Sequence, residues 1–592
     1  MSEAVHYRVS MPRPHSHLFE VEARFPSADV LDLLLPVWTP GSYLVREFAR
    51  HIQELSASDD RGDRVPVERL DKRTWRLRPR GRPVRVRYCV YANELTVRTS
   101  HLDGTHGFFN GATLFLYSEL LREHPHHLSV DAPPGWSVFT ALERTDGGWQ
   151  APSYDVLVDS PVEMGPHRPI RFEAGGVPHE VVVWGGSVDA SKLAADLAAV
   201  CDAEAALWGG LPMPRYLFLL YLVDKGRGGL EHAASTALIY PRAQISTPKG
   251  WEDFLTLASH EYFHLWNVKR LKPQAFVPFD YAAENYTRLL WAFEGITSYY
   301  DNLLVRRAGR MSAARYLVRL GEAFSALAAT PGRRVQTLDE ASLTAWVKYY
   351  RQDEHTPNSA VSYYLKGELV ALCLDLEIRR RTRDTRSLDD VMRLLWSRYG
   401  DGKGVPEDGV ETAASEIAGS DLKAFFDRAL RSTDELDASV LEHVGLRLRT
   451  RIRESVGDKG GTPPRLKEGD TRARGWTGIV ARGNAIASVL EGSPAQAAGL
   501  YPDDEVIAVD GVKGDAAALV SRADDRSPGE VLRVSVFRRD LLVEVPVTLE
   551  RRPEDAAWLA PVDSPTDAQR AAFERWAGAP LDGASGDRLA RE

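Results

Sequence analysis

Apolar and polar positions alternate along the first third of the chain. In "RPVRVRYCVYA", Val84, Val86, Tyr88 and Val90 interleave with Arg85, Arg87 and Cys89, the two-residue period of a half-buried strand. "HLFEVEARF", "VLDLLLPVW" and "ANELTV" read the same way, with turn residues between them. The pattern predicts a β-sandwich over residues 1–175. Within it, "PVWTPGSYLVREFARHI" (36–52) breaks the rhythm with Pro-Gly and aromatics. It reads as a loop reaching toward something.

From about residue 185 the period lengthens. "DASKLAADLAAVCDAEAALW" predicts a helix. "RYLFLLYLV" (215–223) is a continuous apolar run suited to a buried strand, and it ends in the Gly-rich "DKGRGGLEH". "SAARYLVRLGEAFSALAA", "LDDVMRLLWSRY" and "SDLKAFFDRAL" predict further helices, the last capped by Ser420 or Asp421. Residues 176–455 thus form a mostly helical domain. The polar, Gly- and Pro-rich stretch 456–474 reads as a linker, and 475–552 as a compact β-rich unit closed by the hairpin "VLRVSVFRRDLLVEVPVTLE". Residues 553–592 read as a tail, mostly loop, with one short helix starting at Ser564-Pro565. The fold class is multidomain α+β.

Composition narrows the function classes. The 592 residues are 44% apolar and 27% charged, with a formal net charge of -9. That is ordinary for soluble domains and argues against a nucleic-acid footprint. The start has no apolar leader, and no run approaches the roughly 18 apolar residues of a membrane span. Three scattered cysteines, Cys89, Cys201 and Cys373, make no disulfide framework and suit a reducing cytoplasm.

The chemistry lies in "ASHEYFHLWNVKRL" (258–271). On a helix, residues four apart sit about 40° apart around the axis, so His260 and His264 can address one ion. Glu261, about 100° round from His260, misses the metal and is free to act as a base. Catalytic zinc usually takes three protein ligands and keeps one position open. Glu284 and Glu294 compete for the third place. Glu294 is preferred, because Leu290, Trp291, Phe293, Ile296 and Tyr300 bury it and a buried carboxylate needs a partner. Gly295 beside it allows close helix packing. Glu284 reads as a supporting or surface residue.

"HEYFHLWNVKRLKP" and "LLWAFEGITSYYDNLL", with "PVWTPGSYLVREFARH" and "RTSHLDGTHGFFNGATLFLY", resemble the glycyl aminopeptidase family over nearly the whole chain. These are PDZ-carrying zinc peptidases related to aminopeptidase N and leukotriene A4 hydrolase. The resemblance implies a thermolysin-like zincin domain with one Zn2+ per chain, and Glu261 as base toward a zinc-activated water. "GGLEH" (228–232) resembles the exopeptidase loop of these relatives, which would make Glu231, with Gly228 and Gly229, the holder of the substrate's free amine. Leu230 and His232 depart from the relatives' commoner residues. "YYLKGELVALCLDL" (363–376) resembles their Tyr-x-Lys-Gly segment, nominating Tyr364 rather than Tyr363 as oxyanion donor. The resemblance implies small N-terminal residues, glycine and alanine first, cut from peptides with a free N-terminus.

"IASVLEGSPAQAAGLYPDDEVIAVDG" (486–511) resembles the bacterial PDZ pattern, with a carboxylate loop expected at "GWTGI", where Gly478 and Ile479 fit the usual ending. It either binds peptide C-termini or braces the catalytic unit. The competing reading of the whole chain is a zincin/PDZ scaffold that holds peptide termini without turnover.

Overall fold

The computed structural model describes residues 4–465 and 474–584. Residues 466–473 of the expected linker and 585–592 of the expected tail lie outside the described residues. Two compact units divide the chain: Met1–Tyr286 with Leu395–Pro406, and Thr287–Leu394 with Glu407–Glu592.

The first unit opens with β structure. An eight-stranded sheet has Leu18–Ala28 and Arg82–Tyr91 at its centre, antiparallel with Val21 opposite Tyr88. Val84, Val86, Tyr88 and Val90 are buried as their alternation predicts. Four- and three-stranded sheets accompany it. Buried phenols tie the core to a crossing loop: Tyr7 donates to Leu116 O at 2.7 Å and Tyr88 to Leu114 O at 2.9 Å. "ANELTV" departs from expectation. It forms no strand, only an isolated bridge from Asn93 to His101.

A five-stranded sheet follows. Val177–Trp184, Tyr216–Val223 and Ser235–Pro241 run parallel, and helix Ala190–Trp208 makes the first crossover. Tyr216–Val223 is buried at every position, which is why it reads as an unbroken apolar run. Gly228–Glu231 pairs antiparallel with Ser235–Pro241 and is the sheet's last strand. The segment Leu395–Pro406 completes this unit: Val405 N–H donates to Lys272 O at 2.7 Å, and Trp396 lies edge-on to Trp208.

The second unit is helical at first. Leu365–Thr382 is buried along most of its length, with Ile296–Arg307 and Ala313–Ala328 beside it. Helix Lys423–Arg431 starts later than expected, from Leu422. Asp421 still accepts from Lys423 N–H at 2.8 Å, while Ser420 Oγ is taken by Arg381. The described part of the tail, to residue 584, holds more regular structure than its composition suggests. Ala556–Pro561 pairs with Leu446–Arg451, and helix Asp567–Ala577 begins at a Thr566/Gln569 capping box, just past Ser564-Pro565. Trp576 is fully buried and donates to Tyr299 OH at 2.8 Å. Residues 475–551 hold a six-stranded sheet with helices Pro494–Ala498 and Ala516–Asp524.

Candidate functional site

In the first unit, Thr247 caps helix Pro248–Phe263 by accepting from Gly250 N–H at 3.0 Å, and Pro248 sits at the first helical position. The helix carries His260 and Glu261 in its last turn, with His264 at its C-cap. The two imidazoles lie 4.7 Å apart between ring centroids, edge to face. His264 Nδ1 donates to Asn267 O at 2.7 Å. That bond fixes the tautomer and puts the ring's lone pair on Nε2. The turn that delivers the Asn267 carbonyl is strained. Val268, a β-branched residue, has φ +112°, at a cost of about 1–3 kcal/mol.

Strand Gly228–Glu231 lies against this helix. A Cβ at Gly229 would fall 2.2 Å from the Glu261 carboxyl carbon. Only glycine lets the helix carboxylate lie on the strand. Ligand atoms of Glu231, Glu261 and His264 all come within 4.8 Å of one another, and all three residues are buried. Glu231 Oε1 has no hydrogen-bond partner among the described residues. Two buried carboxylates this close repel unless a cation stands between them. The donor set therefore fits a divalent ion or an ammonium group.

The loop at 36–52 reaches this point. Gly41 has φ +87°, and a Cβ there would sit 2.5 Å from both Glu231 carboxylate oxygens. Behind Glu231, Asp159 joins the chain segments: it accepts from Lys269 Nζ at 2.5 Å, His232 Nδ1 at 3.2 Å and Ala233 N–H at 2.8 Å. Burial pushes the Asp159 carboxyl up, but Lys269 and then His232 outweigh it and hold it well below the usual range. Arg98 donates to Gly229 O at 3.3 Å. The other edge of strand Gly228–Glu231 pairs with no strand among the described residues.

In the second unit, Glu294 lies in a π-helical turn, Trp291–Gly295, that leads into helix Ile296–Arg307. It is 2% exposed. Such turns displace one residue from the α-helical register and often occur at functional positions. Gly295 packs on Gly367: a Cβ at 295 would lie 2.5 Å from Gly367 Cα and 2.9 Å from Tyr363 O. This approach sets Tyr364, the N-cap of Leu365–Thr382, near Glu294. Burial and then the Glu294 charge push the Tyr364 phenol well above its ordinary pKa. Tyr363 is fully buried and stacks on Tyr364 at 4.7 Å between centroids, whereas Tyr364 is half-buried and within 3.5 Å of Tyr350 OH. Glu284 is half-buried in a loop of the first unit.

Gly478 has φ +76°, packs on Ser493 and accepts from Leu490 N–H at 2.9 Å. Ile479 begins strand Ile479–Arg482, the edge of its sheet.

Gly41, Asp159, Lys269 and Tyr350 were not among the residues picked out from sequence. Only the odd composition of 36–52 signalled the first.

Residues 6–166 match the model of the Peptidase M61 N-terminal domain, and residues 253–370 that of M61 glycyl aminopeptidase. The second match includes His260, Glu261, His264, Glu294 and Tyr364. A crystal structure of an aminopeptidase N family protein from Idiomarina loihiensis is 33% identical, covering 97% of this chain and 99% of that one, with a TM-score of 0.90. An M1 zinc metallopeptidase from Deinococcus radiodurans is 13% identical over 73% of this chain and 93% of its own, with a TM-score of 0.43. A mutant of that metallopeptidase bound to a Tyr-Ser-Ala substrate is likewise 13% identical, over 74% and 95%, with a TM-score of 0.47. No curated protein matches the chain.

Proposed function

Since the chain belongs to the M61 glycyl aminopeptidase family, we propose that it is a zinc-dependent aminopeptidase that removes small N-terminal residues, glycine and alanine first, from peptides. The observation that carries this reading is the convergence of two buried carboxylates, Glu231 and Glu261, with the imidazole of His264. Zinc, when bound, supplies Lewis acidity toward the scissile carbonyl and toward water.

His260 and His264 are the two imidazole ligands, His264 through Nε2, and Glu294 is the third. Glu261 accepts the proton of the attacking water and passes it to the leaving amine. Tyr364, kept protonated by burial and the Glu294 charge, donates to the developing oxyanion. Glu231 pairs with the substrate's ammonium, so one residue is released per cut. Gly228 and Gly229 on an open sheet edge let the substrate backbone approach.

The domains we assign are a β domain to residue 175, a catalytic domain at 176–455, and a PDZ domain at 475–552 with Gly478 and Ile479 in its carboxylate loop. Asn358 supports a bracing role for that domain. It is buried, donates to Val489 O at 2.8 Å and accepts from Glu491 N–H at 2.8 Å. No helix among the described residues is long and apolar enough to cross a membrane.

The test is Glu261→Gln. It should keep one zinc per chain by elemental analysis while kcat/KM on a glycyl chromogenic substrate falls about 10²- to 10⁴-fold. Unchanged turnover would remove Glu261 from the reaction. Peptides with acetylated N-termini should be poor substrates, and rapid cleavage of them would make the enzyme an endopeptidase.

A further inference from the structure

The second unit contains a cavity of about 480 Å³ that the peptidase chemistry does not use. Its size falls within the roughly 300–1,000 Å³ of small-molecule sites. One wall is a single face of helix Leu365–Thr382, where Lys366, Cys373 and Glu377 follow one another at helical spacing. Facing it, Phe425, Ala429 and Val440 supply apolar surface beside Arg428 and Asp437, which pair with each other at 3.7 Å.

Lys366 is 3% exposed, and its Nζ has no hydrogen-bond or ion-pair partner among the described residues. The other charges along the wall are largely spent on one another. Glu377 accepts from Arg380 at 2.8 Å and from Arg381 at 2.6 Å. Glu435, whose field reaches Lys366, pairs with Arg333 at 3.1 Å. Asp434 stands exposed at the rim, attracting Lys366 from beyond hydrogen-bond reach. Burial lowers the Lys366 pKa. An ammonium in such a place costs free energy until an anion pairs with it.

The geometry points to a second binding site: the cavity takes a small organic carboxylate with an apolar body, its carboxylate on Lys366 and its apolar part against Phe425, Ala429 and Val440. Two sources share this chemistry, a simple alkyl carboxylate and a free apolar amino acid whose ammonium would meet Asp434.

Isothermal titration of the full-length, metal-loaded protein separates them, with hexanoate and leucine as probes and hexylamine as control. Saturable binding of hexanoate or leucine is expected, weakened at least tenfold in Lys366→Met. Ala424→Trp, at the exposed rim, should block binding by filling the mouth, and it serves if Lys366→Met does not fold. Binding by hexanoate alone assigns a simple carboxylate; binding by leucine as well or instead assigns an ammonium contact at Asp434. The proposal falls if neither probe binds at millimolar concentration, or if hexylamine binds as well as they do. It also falls if affinity survives both substitutions, as it would for leucine held at the peptidase site.

Discussion

Gly41 sets the position of Glu231 by having no side chain. A methyl group there would meet both carboxylate oxygens at 2.5 Å, and the backbone φ of +87° already disfavours any other residue. Gly41→Ala is therefore expected to push the carboxylate out of its place. KM for peptides with a free amine should rise about tenfold, equivalent to about 1.4 kcal/mol of lost ammonium binding, while zinc content stays unchanged by elemental analysis. An unaltered KM would separate Glu231 from amine recognition. His260, Glu261 and His264 could be singled out as candidates because helix geometry ties their spacing to their directions. Gly41 could not, because its contact joins a turn to a strand far along the chain and leaves no local pattern. Asp159 and Lys269 escaped for the same reason.

At the scale of elements, the π-helical turn around Glu294 and the Gly295–Gly367 contact belong together. The turn brings the carboxylate to its place, and the two glycines allow the helix beneath it to come close enough for Tyr364 to feel the charge. Gly295→Ala would drive a methyl group against backbone, where nothing flexible can yield. Overpacking of this kind costs about 1–3 kcal/mol, so the melting temperature should fall and kcat with it. A variant as stable and as active as the parent would show that the helix can retreat harmlessly. Periodicity foretold several helices here, including Ala190–Trp208 and Ala313–Ala328. It could not foretell a π turn, since one inserted residue leaves the apolar composition unchanged. "ANELTV" failed in the opposite sense: its alternation suits a strand, yet only Asn93 forms a β-bridge. The tail was underestimated because its anchor, Trp576, is a single buried side chain rather than a pattern.

For the molecule as a whole, Asn358 fastens the C-terminal β-rich unit at residues 475–551 to the helices before it, with one side-chain amide serving two backbone groups. Asn358→Ala removes both bonds, and the loss at the buried Val489 carbonyl alone costs about 1–3 kcal/mol. Limited proteolysis should then release a fragment from this unit earlier than in the parent protein, with zinc content unaffected. Equal protection would assign the anchoring to other contacts. The segment Leu395–Pro406 carries a different consequence. Strung between two stretches of the second unit, it supplies the partner for Lys272 in the first. A ribosome finishes Tyr286 well before it makes Val405, so the first unit emerges incomplete and must wait, with its last piece unmade, until the helices from Thr287 onward have been synthesised.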